Sequence, residues 1–409
     1  MPINGKKPRV LGLILLLVSL PFALPASQEA PPSSPFVEVT VRVEKGGQFV
    51  ASLTLDDFEV REDGRPQRLE ALYLFKGQDL LGHEERTPVT VTASRHFYLL
   101  FQTTDYDPRL GEAVDDLFRN VLRPGDSMTL MTPLKVYTLT EDALRAKPLN
   151  DLSKEMQKIL RKDIQSGSGE YREILRDLRR VVQAIGGTGR AIDADMETDS
   201  AASAFGLEMS LDRYRQSLMK LEGLRLLDER KLLSFAGSLR ARSGRKYVYL
   251  FYQREFRPEI SPGVLTTLMS LYQDEPNILG DLQDLFQFYR RELPLQMETI
   301  KRSFADAGLC LNFIFMNKEA QAIFGATMRE QSEDVFQVFT AIARATGGRS
   351  ETAQNPAASF HAASQATAEH YLLYYTPDNA AKDGTFRAIE VRVKGEGLAV
   401  SNRLGYFAR

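Results

Sequence analysis

Three largely apolar runs in the middle of the chain constrain its fold more than any other feature. They span 97–101, 246–252 and 310–315, and each is rich in aromatic and branched residues without a regular polar alternation. Such runs are typical of strands that are covered on both faces, as in a sheet with helices on each side. They therefore predict an α/β arrangement around a buried central sheet.

The elements around the first run predict how this sheet is connected. The stretch after it repeats apolar residues at spacings of three and four, which indicates an amphipathic helix: Leu110, Ala113, Val114, Leu117, Phe118 and Val121. Another apolar run follows at 127–131, after the break at Pro124 and Gly125. Because strand, helix and strand in succession are typical of parallel crossovers, we expect a mainly parallel sheet.

The two ends of the chain have a different pattern, in which apolar and polar residues alternate. Segments 36–43, 58–62 and 386–393 all show this period of two, which is typical of half-buried strands. Asp63 and Gly64 form a strong hairpin-turn signal. The N-terminal block is too small to bury a core alone, so we expect the C-terminal strands to complete it as a small β-sandwich.

The stretch from about 140 to 240 is mostly helical in pattern. Apolar residues share a face in two parts of it: Leu149, Leu152, Met156 and Ile159, then Leu211, Tyr214, Leu218 and Leu221. This pattern predicts a long helical insertion in the central domain. Its apolar seams are interpreted either as core packing or as coiled-coil-like contacts.

The N-terminus has the order of a secretory signal. A basic head at Lys6, Lys7 and Arg9 precedes an apolar run at 10–24, and Ala26 offers a small residue for cleavage. We therefore expect export to the periplasm or secretion, with no stable membrane span after cleavage. The alternative is an anchor helix that stays uncleaved, although the run is shorter than the ~20 residues that span a bilayer comfortably.

These patterns together predict the domain organisation. It comprises a signal peptide at 1–26, a linker at 27–35, the N-terminal part of a β-sandwich at 36–92, a central domain at 93–350 with the insertion, and completing strands at 366–409.

Composition excludes several classes of site. The net charge of −2 argues against a broad nucleic-acid-binding surface, which needs clustered excess Lys and Arg. Cys310 is the only cysteine, so no disulfide can form within the chain. The four histidines are widely separated and lack the spacing of a zinc site: His83, His96, His361 and His370.

Several segments resemble a known family. The segment at 57–67, with sequence DFEVREDGRPQ, resembles a signature of exported bacterial proteins with a von Willebrand factor A-related domain of the acidobacterial type. Four C-terminal segments are similar to motifs of the same family and occur in family order: 345–349, 371–377, 383–387 and 403–406. The resemblance implies a Rossmann-like von Willebrand A domain flanked by a small β-sandwich.

The resemblance also implies a metal-dependent adhesion site, whose cation accepts a carboxylate from a partner. In the family an Asp-x-Ser-x-Ser loop, a distant Thr and a later Asp hold Mg²⁺ or Ca²⁺, because hard cations prefer anionic oxygen ligands. In this sequence Gln102, Thr104 and Tyr106 stand at the loop positions, Thr188 is the candidate distant Thr, and Gln253 stands at the later position. Both carboxylates are replaced by amides, so we expect a degenerate site without Mg²⁺, Ca²⁺ or another cofactor.

Two further carboxylates lie in the same loop and leave an alternative open. Asp105 and Asp107 could reach a cation with a different geometry, or they could be solvated turn residues before a helix that starts at Pro108. Ligand sites in open α/β sheets lie at the carboxyl ends of the strands. The candidate ligand-binding residues are therefore Gln102, Thr104, Asp105, Tyr106, Thr188, Gln253 and Arg254. A Gln102–Gln253 hydrogen bond is the structural alternative to recognition of a neutral ligand.

The functional hypothesis is an exported protein-interaction module of the adhesion or scaffold type, which binds an unidentified protein and is not an enzyme. A structural or assembly protein that docks through its helical insertion is the first alternative. An extracytoplasmic hydrolase is the second, although the sequence has no Gly-x-Ser-x-Gly elbow, histidine cluster or Gly-rich phosphate loop.

Overall fold

The computed structural model of the protein describes residues 36–91, 94–192, 200–225, 227–288 and 295–409. The expected signal peptide at 1–26 and linker at 27–35 lie outside these residues. Across the described ranges no helix is both long enough and apolar enough to cross a membrane.

The strands are, in chain order, β1 (Val37–Lys45), β2 (Gln48–Phe49), β3 (Phe58–Glu62), β4 (Arg65–Gln67), β5 (Leu69–Lys76), β6 (Asp79–Glu85), β7 (Arg95–Gln102), β8 (Ser127–Met131), β9 (Val136–Leu139), β10 (Arg245–Gln253), β11 (Phe256–Ile260), β12 (Leu309–Met316), β13 (Ala326–Glu330), β14 (Ser350–Ala353), β15 (Glu369–Tyr375), β16 (Phe386–Val393), β17 (Leu398–Asn402) and β18 (Gly405–Phe407).

The helices are, in chain order, α1 (Pro108–Asp116), α2 (Glu141–Ala146), α3 (Leu149–Gly167), α4 (Gly169–Ile192), α5 (Ser200–Arg225), α6 (Glu229–Arg240), α7 (Pro262–Leu271), α8 (Pro276–Phe288), α9 (Met297–Asp306), α10 (Glu333–Ala345) and α11 (Pro356–Ala368). The stretch between β9 and β10 therefore contains α2 to α6.

The central sheet has the strand order β14-β12-β10-β7-β8-β9. The three apolar runs of the sequence form its inner strands β7, β10 and β12. One face packs against α6, α9 and α10, where Leu239, Phe304 and Ile342 are buried. The other face packs against α1, α3 and α11 through Val114, Leu160 and Phe360. Helices on both faces explain why these strands lack polar alternation.

The prediction of a Rossmann-like von Willebrand A domain with a mainly parallel sheet is wrong. Among the described residues, parallel pairing is confined to contacts of β7 with β8 and β10, and of β12 with β10 and β14. Every other strand pair of the described part is antiparallel, so the fold is mixed α/β with mostly antiparallel pairing.

The physical reason for this error is that an unbroken apolar run reports coverage of a strand, not the direction of its neighbours. The turn at Thr132–Lys135, closed by a 2.9 Å hydrogen bond from Thr132 N to Lys135 O, returns the chain as the antiparallel edge strand β9. A connection this short can only join antiparallel strands, whereas a parallel pair needs a longer crossover. The central sheet is therefore itself mixed.

The two ends of the chain meet in antiparallel sheets. Strand β1 lies between β15 and β17, and β3 pairs with β16 in the second sheet. The two sheets share an apolar core, to which Val41, Val60, Tyr371 and Val391 contribute. At the turn between β3 and β4, Asp63 and Gly64 have φ of 49° and 79°, the left-handed geometry of a tight hairpin.

A separate helical core lies beside the central sheet. It brings together α4, α5, α7 and α8 with strand β11, and its buried residues include Val182, Tyr214, Leu268, Leu282 and Ile260. Strand β11 pairs with β13 as a two-stranded sheet. This unit extends over the carboxyl ends of β7 and β10, where the candidate residues lie.

Candidate functional site

Gln253 is the structural centre of the predicted site. It ends β10 next to β7, and its side chain is buried, with a residue exposure of 7%. Its Oε1 accepts hydrogen bonds from Thr104 N at 3.1 Å, Thr104 Oγ1 at 2.8 Å and Asp105 N at 3.0 Å. The amide oxygen thus binds the loop after β7 to the end of β10.

The expected Gln102–Gln253 hydrogen bond is not among the contacts of the described residues. Gln102 pairs with Tyr252 in the register of β7 and β10, one residue away from Gln253. Its Oε1 is buried without a hydrogen-bond partner in the described part of the chain. The interaction that links these strand ends is therefore between an amide and a backbone loop, not between two amides.

The two loop carboxylates are both engaged in protein contacts. Asp107 is the N-cap of α1, and its Oδ1 accepts a hydrogen bond from Arg109 N at 2.9 Å. Asp105 forms an ion pair with Lys318 at 2.5 Å. Groups of three or more His, Cys, Asp or Glu side chains that could hold a metal ion are not found within the described ranges.

The remaining candidates point to different neighbours. The Tyr106 ring lies 5.9 Å from the Arg161 guanidinium, and burial raises the pKa of its hydroxyl. Arg254 donates to Asn317 Oδ1 at 2.8 Å and lies 3.2 Å from Glu330. Thr188 belongs to α4, and its side chain lies outside the described part of the chain. Among the candidates whose side chains the structure describes, Thr104 and Asp105 are therefore brought into direct contact with Gln253.

A cleft of about 540 Å³ opens beside Thr104 and Asp105. We call it the carboxyl-edge cleft, and it is lined by Thr104, Asp105, Tyr171, Arg172, Leu175, Arg176, Arg179, Phe256, Lys318, Glu319, Gln321 and Met328. Helix α4 forms one wall, and the β11–β13 pair with the segment after β12 forms the other.

Two glycines allow the segment before β13 to approach α4 closely. Gly186 of α4 and Gly325 before β13 approach so closely that a Cβ on either would lie 3.1 Å from the Cα of the other. Gly325 also has φ of 74°, which favours glycine. The close approach places the segment between β12 and β13 beside the helix that carries the arginines.

Positive charge is in excess in this cleft. Its lining carries Arg172, Arg176, Arg179 and Lys318 against two carboxylates, Asp105 and Glu319. Asp105 is already neutralised by Lys318. No ion pair within the described part of the chain joins Arg176 or Arg179 to a carboxylate. The Nε atom of Arg179 is buried without a hydrogen-bond partner among the same residues.

The sequence interpretation missed the α4 arginines, although a signal for them exists. Arg172, Arg176 and Arg179 recur at spacings of four and three, so they lie on one face of a helix. Nothing in the sequence indicates that this face is turned toward the end of β7. Such a charge stripe is usually a solvated helix face, and only the packing of α4 makes it the wall of a cleft.

Cys310 is not placed for thiol chemistry. Burial raises the pKa of its thiol to about 12, so the thiol is protonated near neutral pH. It packs at the edge of the apolar core beneath α1 and α11.

No family model matches this chain, and no curated protein matches it. Among solved structures, the chain is similar to the crystal structure of the human COPII-coat protein Sec24c, with 7% sequence identity and a TM-score of 0.30. The alignment covers 77% of this chain and 43% of that chain, so it spans less than half of the Sec24c chain. A similarity at this level does not indicate a function for this chain.

Proposed function

We propose that the protein is an exported interaction module, without a catalytic role, which binds an acidic segment of a partner protein in the carboxyl-edge cleft. The observation that carries this proposal is the excess of positive charge in a cleft whose walls also carry apolar side chains. Two of its arginines lack carboxylate partners in the described part of the chain, which leaves their charge for a ligand.

The chemistry of the cleft favours a peptide with both carboxylates and apolar side chains. Leu175, Phe256 and Met328 are half-buried and form apolar surface between the cations. Guanidinium groups bind carboxylates through two parallel hydrogen bonds, which gives such a contact direction as well as strength. Apolar side chains of the ligand would cover the wall between these contacts.

The loop carboxylates support binding through side-chain cations rather than through a bound metal ion. Asp105 is paired with Lys318 and Asp107 caps α1, so neither presents a free carboxylate to the cleft. We therefore expect EDTA to leave the affinity for an acidic peptide unchanged.

The test is a fluorescence-anisotropy titration of the full chain with a labelled glutamate-rich peptide that carries a central Leu-Phe pair. Its counterpart with glutamine in place of every glutamate reports the contribution of charge. We expect the charge reversal R176E/R179E to weaken binding of the acidic peptide at least about tenfold, or roughly 1.4 kcal/mol. Higher salt should weaken binding in the same direction, because exposed charges are screened.

The matched control is R180E, which reverses an exposed arginine of the same helix that does not line the cleft. It should retain the affinity of the unmodified protein. Equal losses in R180E and R176E/R179E would contradict the proposal, and so would equal binding of the glutamate and glutamine peptides. Displacement of the peptide by a lower concentration of single-stranded RNA would assign the cleft to nucleic acid instead.

Export is tested separately, by N-terminal sequencing of the chain recovered from a bacterial host after fractionation. We expect the mature protein outside the cytoplasm, with its N-terminus after Ala26. An intact N-terminus in the membrane fraction would instead support the uncleaved anchor.

A second candidate function, assembly through the helical insertion, is favoured by exposed apolar side chains on α5. Phe205, Met209 and Met219 have exposures of 65%, 60% and 59%. Phe205 and Met209 are four residues apart and therefore share a face of the helix. If this face mediates self-association, F205S/M209S should lower the mass measured by light scattering at high protein concentration.

A further inference from the structure

A second cavity, of about 250 Å³, lies at the opposite edge of the central sheet. We call it the amino-edge cavity, because it is enclosed by the first residues of β10 and β12 on one side and by β1, β15 and β17 on the other. The residues used below are Glu38, Lys246, Asp306, Gly308 and Arg403, all of which line it. None of them lines the carboxyl-edge cleft.

Two cations converge in this cavity above Gly308. A Cβ added to Gly308 would lie 3.5 Å from Arg403 Nη1 and 4.0 Å from Lys246 Nζ, so both groups approach the same backbone position. Gly308 follows α9 and has φ of 60°, which favours glycine and leaves this space open. Lys246 is buried, with a residue exposure of 7%.

Both cations donate hydrogen bonds, but the acceptors of these bonds carry no formal negative charge. Lys246 Nζ donates to Arg242 O at 2.8 Å, and Arg403 Nη2 donates to Glu38 O at 2.7 Å. Both acceptors are neutral backbone carbonyls. Arg403 Nε is buried without a hydrogen-bond partner within the described ranges. A buried charge without a directly paired counter-charge is costly, and a bound anion would reduce that cost.

Three carboxylates line the cavity, those of Glu38, Asp306 and Glu369, and each has contacts with other groups. Glu369 lies 3.3 Å from Lys76. Glu38 Oε2 accepts a hydrogen bond from the Tyr374 hydroxyl at 2.5 Å. Asp306 accepts from Phe407 N at 2.8 Å and lies 3.6 Å from Arg409 and 3.8 Å from Arg240. No ion pair within 4.0 Å joins Lys246 or Arg403 to a carboxylate in the described part of the chain.

We infer that the amino-edge cavity is a binding site for a small oxyanion of the phosphate class, held between Lys246 and Arg403. Two adjacent cations match a multivalent anion, and a guanidinium presents paired donors to its oxygens. The cavity volume suits inorganic phosphate or a small phosphate monoester rather than a polymer. This site is independent of the proposed peptide cleft.

The protonation state of Lys246 makes anion binding at this site dependent on pH, which can be tested separately. Burial, with help from Arg403 and Arg242, lowers the pKa of Lys246 to about 8, and the negative charge of Glu38 opposes part of this shift. The charged or imidazole groups that line the cavity with Lys246 or act on it are Glu38 and Arg42 on β1, His96 on β7, Arg240 at the end of α6, Arg242 after α6, Arg245 on β10, Asp306 at the end of α9, Arg349 before β14, Glu369 and His370 on β15, and Arg403 before β18. A bound oxyanion would favour the charged amine, so binding should weaken as the pH rises through the pKa of Lys246.

The test is a calorimetric and thermal-unfolding titration of the full chain with inorganic phosphate and, separately, with glycerol 3-phosphate. Sodium chloride at matched ionic strength is the reference. We expect saturable binding with a rise in melting temperature, and at least a tenfold loss of affinity in K246M and in R403Q. The arm that binds more tightly distinguishes free phosphate from a phosphate ester.

R230M is the control, because the Arg230 side chain is 94% exposed at the other end of α6. It should bind phosphate like the unmodified protein. If K246M does not fold, R403Q alone decides the outcome. Sulfate, whose charge does not change near neutral pH, should bind at least several-fold more weakly at pH 9 than at pH 7.

Equal stabilisation by phosphate and by matched sodium chloride would overturn the inference. Unchanged phosphate affinity in a folded R403Q variant, or sulfate affinity that does not change between pH 7 and 9, would also overturn it.

Discussion

The two edges of the central sheet both collect positive charge, but they hold it in different surroundings. At the carboxyl edge, Arg176 is exposed and Arg179 is half-buried in an open cleft. At the amino edge, Lys246 is 7% exposed and enclosed between sheets. Because desolvation disfavours the charged form of a base, the same sign of charge has a small cost at the first edge and a larger cost at the second.

This difference leads to opposite sensitivities at the two sites. Arginine stays protonated at all relevant pH values, so ligand binding in the carboxyl-edge cleft should respond to salt rather than to pH. Lysine with a pKa of about 8 changes charge near neutrality, so the amino-edge cavity should respond to pH, with weaker screening by salt. Two clusters of positive charge in the same protein can therefore differ in how ligand binding depends on salt and on pH.

The largest expected effect is at the amino edge, where Arg95 is a buried cation in an ion pair and Lys246 is a buried cation without one. Arg95 donates to Asp126 from Nε at 3.0 Å and from Nη2 at 2.7 Å, and both side chains are almost fully buried. D126N should lower the free energy of unfolding by about 3–5 kcal/mol, because it leaves the guanidinium uncompensated.

K246M should act in the opposite direction and raise the free energy of unfolding by roughly 1–3 kcal/mol at pH 7 in phosphate-free buffer, since it removes a charge that lacks a partner. Urea titrations of both variants provide the measurement. Destabilisation of similar size in the two variants would show that Lys246 is compensated in the free protein, and the comparison between the edges would then fail.

An acid-dependent loss of stability is the next largest effect, and it should arise at the amino edge. Burial holds the pKa of His370 at about 3 and that of His96 at about 4, against 6.5 for the ordinary side chain. Between these values the unfolded chain binds protons that the folded protein does not, so the free energy of unfolding falls as the pH decreases from 6.5.

The slope approaches about 1.4 kcal/mol per pH unit for each histidine, which amounts to roughly 2 kcal/mol for each histidine between pH 6.5 and 4.5. The measurement is the urea midpoint as a function of pH, with H370Q as the variant that loses one titrating group. A slope in H370Q as steep as in the unmodified protein would assign the acid sensitivity to other groups.

The smallest expected effect is at the carboxyl edge, where Gln253 connects the loop after β7 to β10. Q253L removes the acceptor of three hydrogen bonds and leaves Thr104 N, Thr104 Oγ1 and Asp105 N without it. We expect a loss of about 1–3 kcal/mol, because water at this open edge can replace part of what is lost. Q253E keeps the acceptor oxygens and should lose less, as measured by thermal unfolding. Equal losses would indicate that packing, not hydrogen bonding, determines the effect.

Local patterns in the sequence were sufficient to locate many elements. The runs at 97–101, 246–252 and 310–315 predicted strands, and the structure has β7, β10 and β12 there. Asp63 and Gly64 predicted a turn, and both have positive φ. These features depend on neighbours in the chain, since burial of both strand faces removes polar alternation and a tight hairpin requires left-handed residues.

Local sequence patterns predicted only some of the contacts in the candidate site. Thr104, Asp105 and Gln253 were predicted to gather at one edge, and Thr104 N and Asp105 N both donate hydrogen bonds to Gln253 Oε1. A Gln102–Gln253 hydrogen bond was one of two alternatives, and it is not found in the described part of the chain, where the register places Gln102 beside Tyr252. A shift of one residue along a strand changes which face a side chain occupies, and this depends on pairing across the sheet.

The sequence by itself determined where buried strands, turns and amphipathic helices form, because periodicity and backbone preference act over a few residues. Tertiary structure alone decided the direction of the strands and the partners of the charges. The contacts that make the two sites join residues far apart in the chain, such as Lys318 with Asp105 and Arg403 with Glu38. Whether a cation is paired, exposed or buried depends on such contacts, and its chemistry follows from them.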